Sequence, residues 1–278
     1  MSYETIIVKE ENGIATIILN RPEKLNALNF QMTHELELAI EEVANNNQVR
    51  VLIITGAGRG FCSGGDFRFR DVRDGKFADV AAEAEDMGPG QETLARGQLL
   101  PGILTGIILA LQRMGKPTIA MVNGYAIGTG LDIALACDMR VGSHNASFMV
   151  GQMRIGLVPD SGSTWLMPRI ISIAKSLELI LTSDFCSAEE AYRIGLLNRL
   201  VPEQDLQKET TALATRLAEG PPVAQRLAKL QVYKGLEMDL ETALTFAMAC
   251  TSITLGTKDH AEGIQAIAER RKPSFKAY

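Results

Sequence analysis

Between Met121 and Arg169 the chain reads MVNGYAIGTGLDIALACDMRVGSHNASFMVGQMRIGLVPDSGSTWLMPR. The apolar strand Thr118 to Val122 leads into it, a turn holding Gly124, Gly128 and Gly130 follows, and an apolar helix continues from there. The chain extends again around Ala146 to Val150, then turns at Pro159–Asp160–Ser161–Gly162 into a further helix. Backbone amides freed at glycine turns and helix N-termini stabilise negative charge. Two such turns occur here, and each carries a carboxylate beside it, Asp132 and Asp160. This pattern suits catalysis on a substrate oxygen that develops charge.

The remainder of the chain fits the same architecture. Tyr3 to Lys9 and Ile14 to Leu19 are rich in Ile, Val and Thr and flank Asn12–Gly13, a pair suited to a tight hairpin. Asn29 is placed to cap a helix through Ala44, with apolar residues at helical spacing from Met32 to Val43. The uninterrupted apolar run Val51 to Thr55 reads as a buried strand. Strand, helix and strand in this order suggest parallel β-structure with crossover helices. Arg68 to Gly97 reads as an irregular loop that shapes a pocket, and Leu99 to Met114 as an apolar helix. Helices are expected at Ser172 to Thr182 and Ala188 to Ile194, and a short strand at Asn198 to Val201. From there to the end the chain is helix-forming, broken at Pro221–Pro222. A core region of residues 1–200 is therefore expected to precede a helical region of residues 201–278. Its apolar helix, Ala243 to Leu255, suits packing against the core or another subunit.

Composition excludes several function classes. A net charge of −5 gives no excess of Lys and Arg for nucleic-acid phosphates. The four cysteines (Cys62, Cys137, Cys186, Cys250) are far apart, and with only three histidines neither a disulfide framework nor a metal site is expected. No apolar run reaches membrane-spanning length and the N-terminus does not read as a signal peptide, so a cytoplasmic protein with no membrane partner is expected.

Three segments could carry chemistry. Gly60–Phe61–Cys62–Ser63–Gly64–Gly65–Asp66 follows the Val51 strand directly, and its glycines let backbone approach a ligand closely. It is neither a P-loop nor a dinucleotide fingerprint. Gly128–Thr129–Gly130–Leu131–Asp132 opens a helix, where an acid is also simply a good dipole partner. Gly156 to Gly162 holds Asp160, which could equally serve as a turn residue or cap.

Taken together, ITGAGRGFCSGGD, VNGYAIGTGLDIALACD and IGLVPDSGSTWLMPR, preceded by NRPEKLNAL, resemble the crotonase (enoyl-CoA hydratase/isomerase) superfamily along essentially the whole chain. The resemblance implies an α/β fold, a spiral of ββα units, followed by a helical C-terminal region that supports homotrimers or hexamers. It implies an acyl-CoA thioester substrate whose carbonyl is polarised by the amides of Gly65 and Thr129. No metal or redox cofactor is implied, since CoA arrives as part of the substrate. Standard enoyl-CoA hydratases hold one water between two glutamates; here Asp132 and Gln152 stand at those places, and an amide cannot exchange a proton. Asp160 falls where isomerase-type members carry an acid, and GLVPDSGSTWLMPR looks especially like ring-epoxide isomerases of phenylacetyl-CoA degradation. The resemblance therefore favours Asp160 as the proton shuttle of an enoyl- or dienoyl-CoA isomerase, with Asp132 and Gln152 beside it. Hydration of an enoyl or cyclic dienoyl ester is the alternative. A thioester hydrolase, a dehalogenase-like reaction and a non-catalytic subunit stand behind it. Contacts to CoA are implied around Lys24, Leu25, Ala27, Ser63, Gly64 and Asp66, with Lys272 and Phe275 from the tail. Residues around Trp165 are expected to shape the acyl pocket.

Overall fold

Asn12 and Gly13 adopt positive φ angles of 52° and 77° and close a hairpin of β1 (Ile6–Glu11) and β2 (Ile14–Leu19) in the computed structural model, which describes residues 3–66 and 104–277. β1 begins later than its composition suggested. The amides of Glu4 and Thr5 donate to the Glu35 carboxylate at 2.9 and 2.8 Å, which ties this segment to a helix instead of the ladder. That helix, α1 (Phe30–Asn45), starts at the expected cap: the Asn29 side chain accepts from the Met32 amide at 2.9 Å.

The run beginning at Val51 forms β3 (Val51–Gly56), buried at every position. Its side chains alternate between two hydrophobic clusters. Leu52 and Ile54 join Leu36 and Ile40 of α1, whereas Val51 and Ile53 join Leu206 and Leu213 of α7 (Leu206–Ala218). A parallel strand covered on both faces has no polar side to show, which explains the unbroken apolar run. The first helix after residue 200 thus covers the central sheet.

Six strands form the larger sheet in the order β1-β2-β3-β5-β7-β10, with β5 (Thr118–Val122), β7 (Met139–Ser143) and β10 (Arg199–Val201). The β1–β2 pair is antiparallel and the others are parallel. A second sheet runs β4-β6-β8-β9, from β4 (Gly60–Cys62), β6 (Tyr125–Ile127), β8 (Ser147–Met149) and β9 (Cys186–Ser187). After each of β3, β5 and β7 the chain crosses to the smaller sheet at β4, β6 and β8. That repeated step between sheets is the ββα spiral the crotonase resemblance implied.

Helices fill the intervals: α2 over residues 104–113, α3 (Thr129–Ala136), α4 (Ser163–Ile170), α5 (Ile173–Thr182) and α6 (Ala188–Arg193). The C-terminal region adds α8 (Pro222–Gly235), α9 (Leu240–Leu255) and α10 (Lys258–Glu269), with the expected break at Pro221. The expected loop from Arg68 to Gly97, and the first turn of the helix expected from Leu99, lie outside the described residues.

Candidate active site

The site is assembled from two glycine-bearing loops and the turn before α4. Asn26 is fully buried and its Nδ2 donates to the carbonyls of Ala57 and Gly60, at 2.9 and 2.8 Å. This anchors the 21–28 turn beneath the β3–β4 connection. Further along, the Ser63 amide donates to Leu25 O, the Leu28 amide to Gly64 O and the Asp66 amide to Leu28 O. The Ser63 hydroxyl donates to Lys24 O at 3.2 Å. Arg21 clamps the assembly by donating to Ala27 O at 2.6 Å and to Asp66 Oδ2 at 3.0 Å. Lys24, Leu25, Ala27, Ser63, Gly64 and Asp66 are thereby brought into one ridge. Lys272 and Phe275 are not brought to it. Lys272 pairs with Glu219, and Phe275 lies against Gly263 of α10.

Two close approaches press this ridge onto the start of α3. Gly64 has a φ of 93°, and a Cβ there would sit 2.9 Å from Ile127 O and 3.7 Å from the Thr129 amide nitrogen. A Cβ on Gly130 would fall 2.2 Å from Cys62 O, so only glycine lets α3 come this near to β4. The amides of Gly65 and Thr129 consequently lie on neighbouring backbones, and neither has a backbone acceptor among the described residues. The space beside Gly65 is open: a Cβ built there meets nothing within 4 Å. Thr129 is the first residue of α3, so its amide is one of the helix's unpaired N-terminal donors.

Behind this turn lie the polar side chains. Asp132, fully buried, accepts at Oδ2 from Gln152 Nε2 at 3.3 Å. Its Oδ1, Gln152 Oε1 and Ser163 Oγ are sealed from solvent without a hydrogen-bond partner. Burial pushes the Asp132 carboxyl up to about 7, and the nearby Asp160 charge adds to the rise. The Ser163 hydroxyl and amide, close by, and the Gln152 side chain pull the other way. Asp160 itself is exposed and accepts from the Ser161 hydroxyl at 3.0 Å. It opens on a cavity of about 590 Å³ whose apolar walls are Ile108 and Leu109 of α2, Trp165 and Leu166 of α4 and Leu230 of α8. Trp165 lines this cavity.

Sequence reasoning missed Arg21, Asn26 and Ser163, although all three stand inside the motifs quoted for the resemblance. Their contribution depends on partners that only folding supplies: a carbonyl, a carboxylate or a buried acid. The cysteines behave as core residues. Burial pushes the thiols of Cys62 and Cys137 up to about 12, which leaves no thiolate nucleophile there. Among the described residues no three His, Cys, Asp or Glu side chains gather as a metal site.

The profile of the enoyl-CoA hydratase/isomerase family matches residues 9–278. A probable enoyl-CoA hydratase of Rhodobacter capsulatus is 37% identical over 275 residues, covering 99% of both chains. A 1,2-epoxyphenylacetyl-CoA isomerase of Escherichia coli is 32% identical and covers 98% of both. Among solved structures, an enoyl-CoA hydratase from Bacillus anthracis superposes with a TM-score of 0.87 at 30% identity, covering 99% of this chain and all of that one.

Proposed function

The chain belongs to the enoyl-CoA hydratase/isomerase family, and we propose that within it this protein moves a proton, and with it a double bond, along an enoyl- or dienoyl-CoA ester. The thioester oxygen sits between the amides of Gly65 and Thr129. Preorganised donors of this kind act on the charge that develops as the enolate forms, and contribute about 3 kcal/mol each to lowering the barrier. Asp160 takes the proton from one carbon and returns it to another, so no atom of solvent is added. Asp132, with its proton held near neutral pH, sets the electrostatics beside it. CoA runs along the ridge from Lys24 to Asp66.

The observation that carries this reading is the contrast between the acids. Asp160 faces a cavity of a size usual for ligand sites, with apolar walls from α2, α4 and α8 and the charged side chains of Arg226, Lys229 and Glu237 also lining it. Asp132 is sealed, and its partner Gln152 is an amide that cannot serve as a second acid or base. Hydration is the second reading, favoured by the three unpartnered polar atoms around Asp132, a setting suited to an oxygen such as that of water. The deciding experiment is mass spectrometry on 2-enoyl-, 3-enoyl-, dienoyl- and cyclic enoyl-CoA esters incubated with the protein in H₂¹⁸O. Isomerisation gives an unchanged mass at a new chromatographic position. Uptake of one labelled water would replace this reading with hydration, and free CoA would point to a hydrolase.

A further inference from the structure

We propose that Ser163 is a positioning residue for Asp132, directing the proton of that carboxyl to Oδ1 and governing how readily it is released. The inference deepens the acid–base reading above and rests on it for its consequence in turnover. The two oxygens of Asp132 are not equivalent. Oδ2 accepts from the Gln152 amide nitrogen at 3.3 Å, and a group that can only donate favours an unprotonated oxygen. The proton therefore belongs on Oδ1, which is sealed and has no hydrogen-bond partner.

Ser163 opens α4, is 1% exposed, and its Oγ is likewise unpartnered. Two buried, unsatisfied groups close together are costly unless each can serve the other or a shared partner. With the Gln152 amide nitrogen already serving Oδ2, the Ser163 hydroxyl is a neutral group that suits both states of the acid at Oδ1. It donates to the carboxylate and accepts from the protonated carboxyl, after a rotation about one bond. No backbone amide or carbonyl at this place could do both. Asp160 is the charged group acting on Asp132, and it disfavours ionisation as burial does. Ser163 and Gln152 are thus what keeps the ionised form accessible.

The partnership can be read on the substrate-free protein by difference infrared titration. The C=O stretch of the protonated Asp132 carboxyl is identified by its loss in Asp132→Asn. Ser163→Ala and Ser163→Gly, which remove the hydroxyl with different backbone consequences, are each expected to raise the titration midpoint by about one pH unit. That is the shift expected on losing one hydrogen bond to a charged group. The C=O stretch should move as well, because the proton's acceptor is gone. The pH profile of kcat should follow the midpoint upward, with KM for the CoA ester unchanged. An unaltered midpoint and band in both variants overturns the proposal. A midpoint that moves while the kcat profile stays in place upholds the Ser163–Asp132 partnership and refutes instead a role for Asp132 in turnover.

Discussion

Asp132 shows how one residue links fold, pH and chemistry. Its carboxyl titrates near 3.8 when unfolded and is pushed up to about 7 by burial in the fold. The native state thus binds more protons than the unfolded state between those values. Stability therefore falls as pH rises through the window from about 4 to about 7 and levels off above it. A displacement of about three units corresponds to about 4 kcal/mol. Asp132→Asn is neutral throughout and removes this cost, so its Tm should match the parent near pH 4 and exceed it at pH 8. Melts that differ equally at both pH values would contradict the assignment. Asp160→Asn makes the complementary case. It should lower kcat about 10²- to 10⁴-fold, the usual range for losing a general acid or base, and leave calorimetric binding of the CoA ester nearly intact. Retention of most of the activity would remove Asp160 from the chemistry. The placement of Asp132, Asp160, Gly65 and Thr129 at glycine turns and helix starts was legible in the sequence because each lies in a local motif; their roles are those proposed above. Ser163 and Arg21 were not, because a serine on a first helical turn or an arginine after a strand carries no signal until its partner across the fold is known.

Whole elements were legible where a periodic pattern met a local stop signal. α1 and α5 begin after capping side chains, Asn29 and Ser172, which accept from Met32 and Lys175 amides. The equally short β8 and β10 were legible from the extended runs around them. The strands β4, β6 and β9 were not expected: each is two or three residues long, too short to show a period of two. Yet these strands carry the loops of the candidate site, and their alignment depends on side-chain clamps. Arg21 is the principal one, at 15% exposure against 14% for Asp66. Replacing it by methionine keeps most of the apolar stem but leaves the Asp66 carboxylate without this cation and the Ala27 carbonyl without its donor. Arg21→Met should cost about 2 kcal/mol, less than a fully buried pair because some water reaches it. If the 21–28 turn and the 63–66 loop together form the CoA ridge, KM for the ester should rise more than kcat falls. A drop in kcat at constant KM would instead place the clamp's effect on the amide donors.

Across the whole molecule the two sheets and their covering helices bury two hydrophobic clusters, but the surface keeps large apolar stripes. On α9, Leu240, Leu244, Met248 and Leu255 lie near one face at helical spacing, with exposures of 75%, 57%, 72% and 58%. On α5, Ile173, Leu177 and Leu181 repeat the pattern at 67%, 50% and 64%, and on α10 Ile264 and Ile267 are exposed at 59% and 78%. Isolated exposed leucines are ordinary, whereas stripes on three helices exceed what a monomer usually shows to water. These are the faces on which we place the contacts of the homotrimer or hexamer proposed for this chain. α9 contributes one buried side chain, Cys250, so its apolar content serves the protomer's own core only slightly. Light scattering coupled to gel filtration should then give three or six times the 30.2 kDa of the chain. The double variant Leu244→Glu, Met248→Glu alters only exposed positions and should leave the circular dichroism of the protomer intact while lowering the mass to that of a single chain. A parent protein that already runs as a monomer, or a double variant that keeps the parent's mass, would leave these stripes without the role assigned to them.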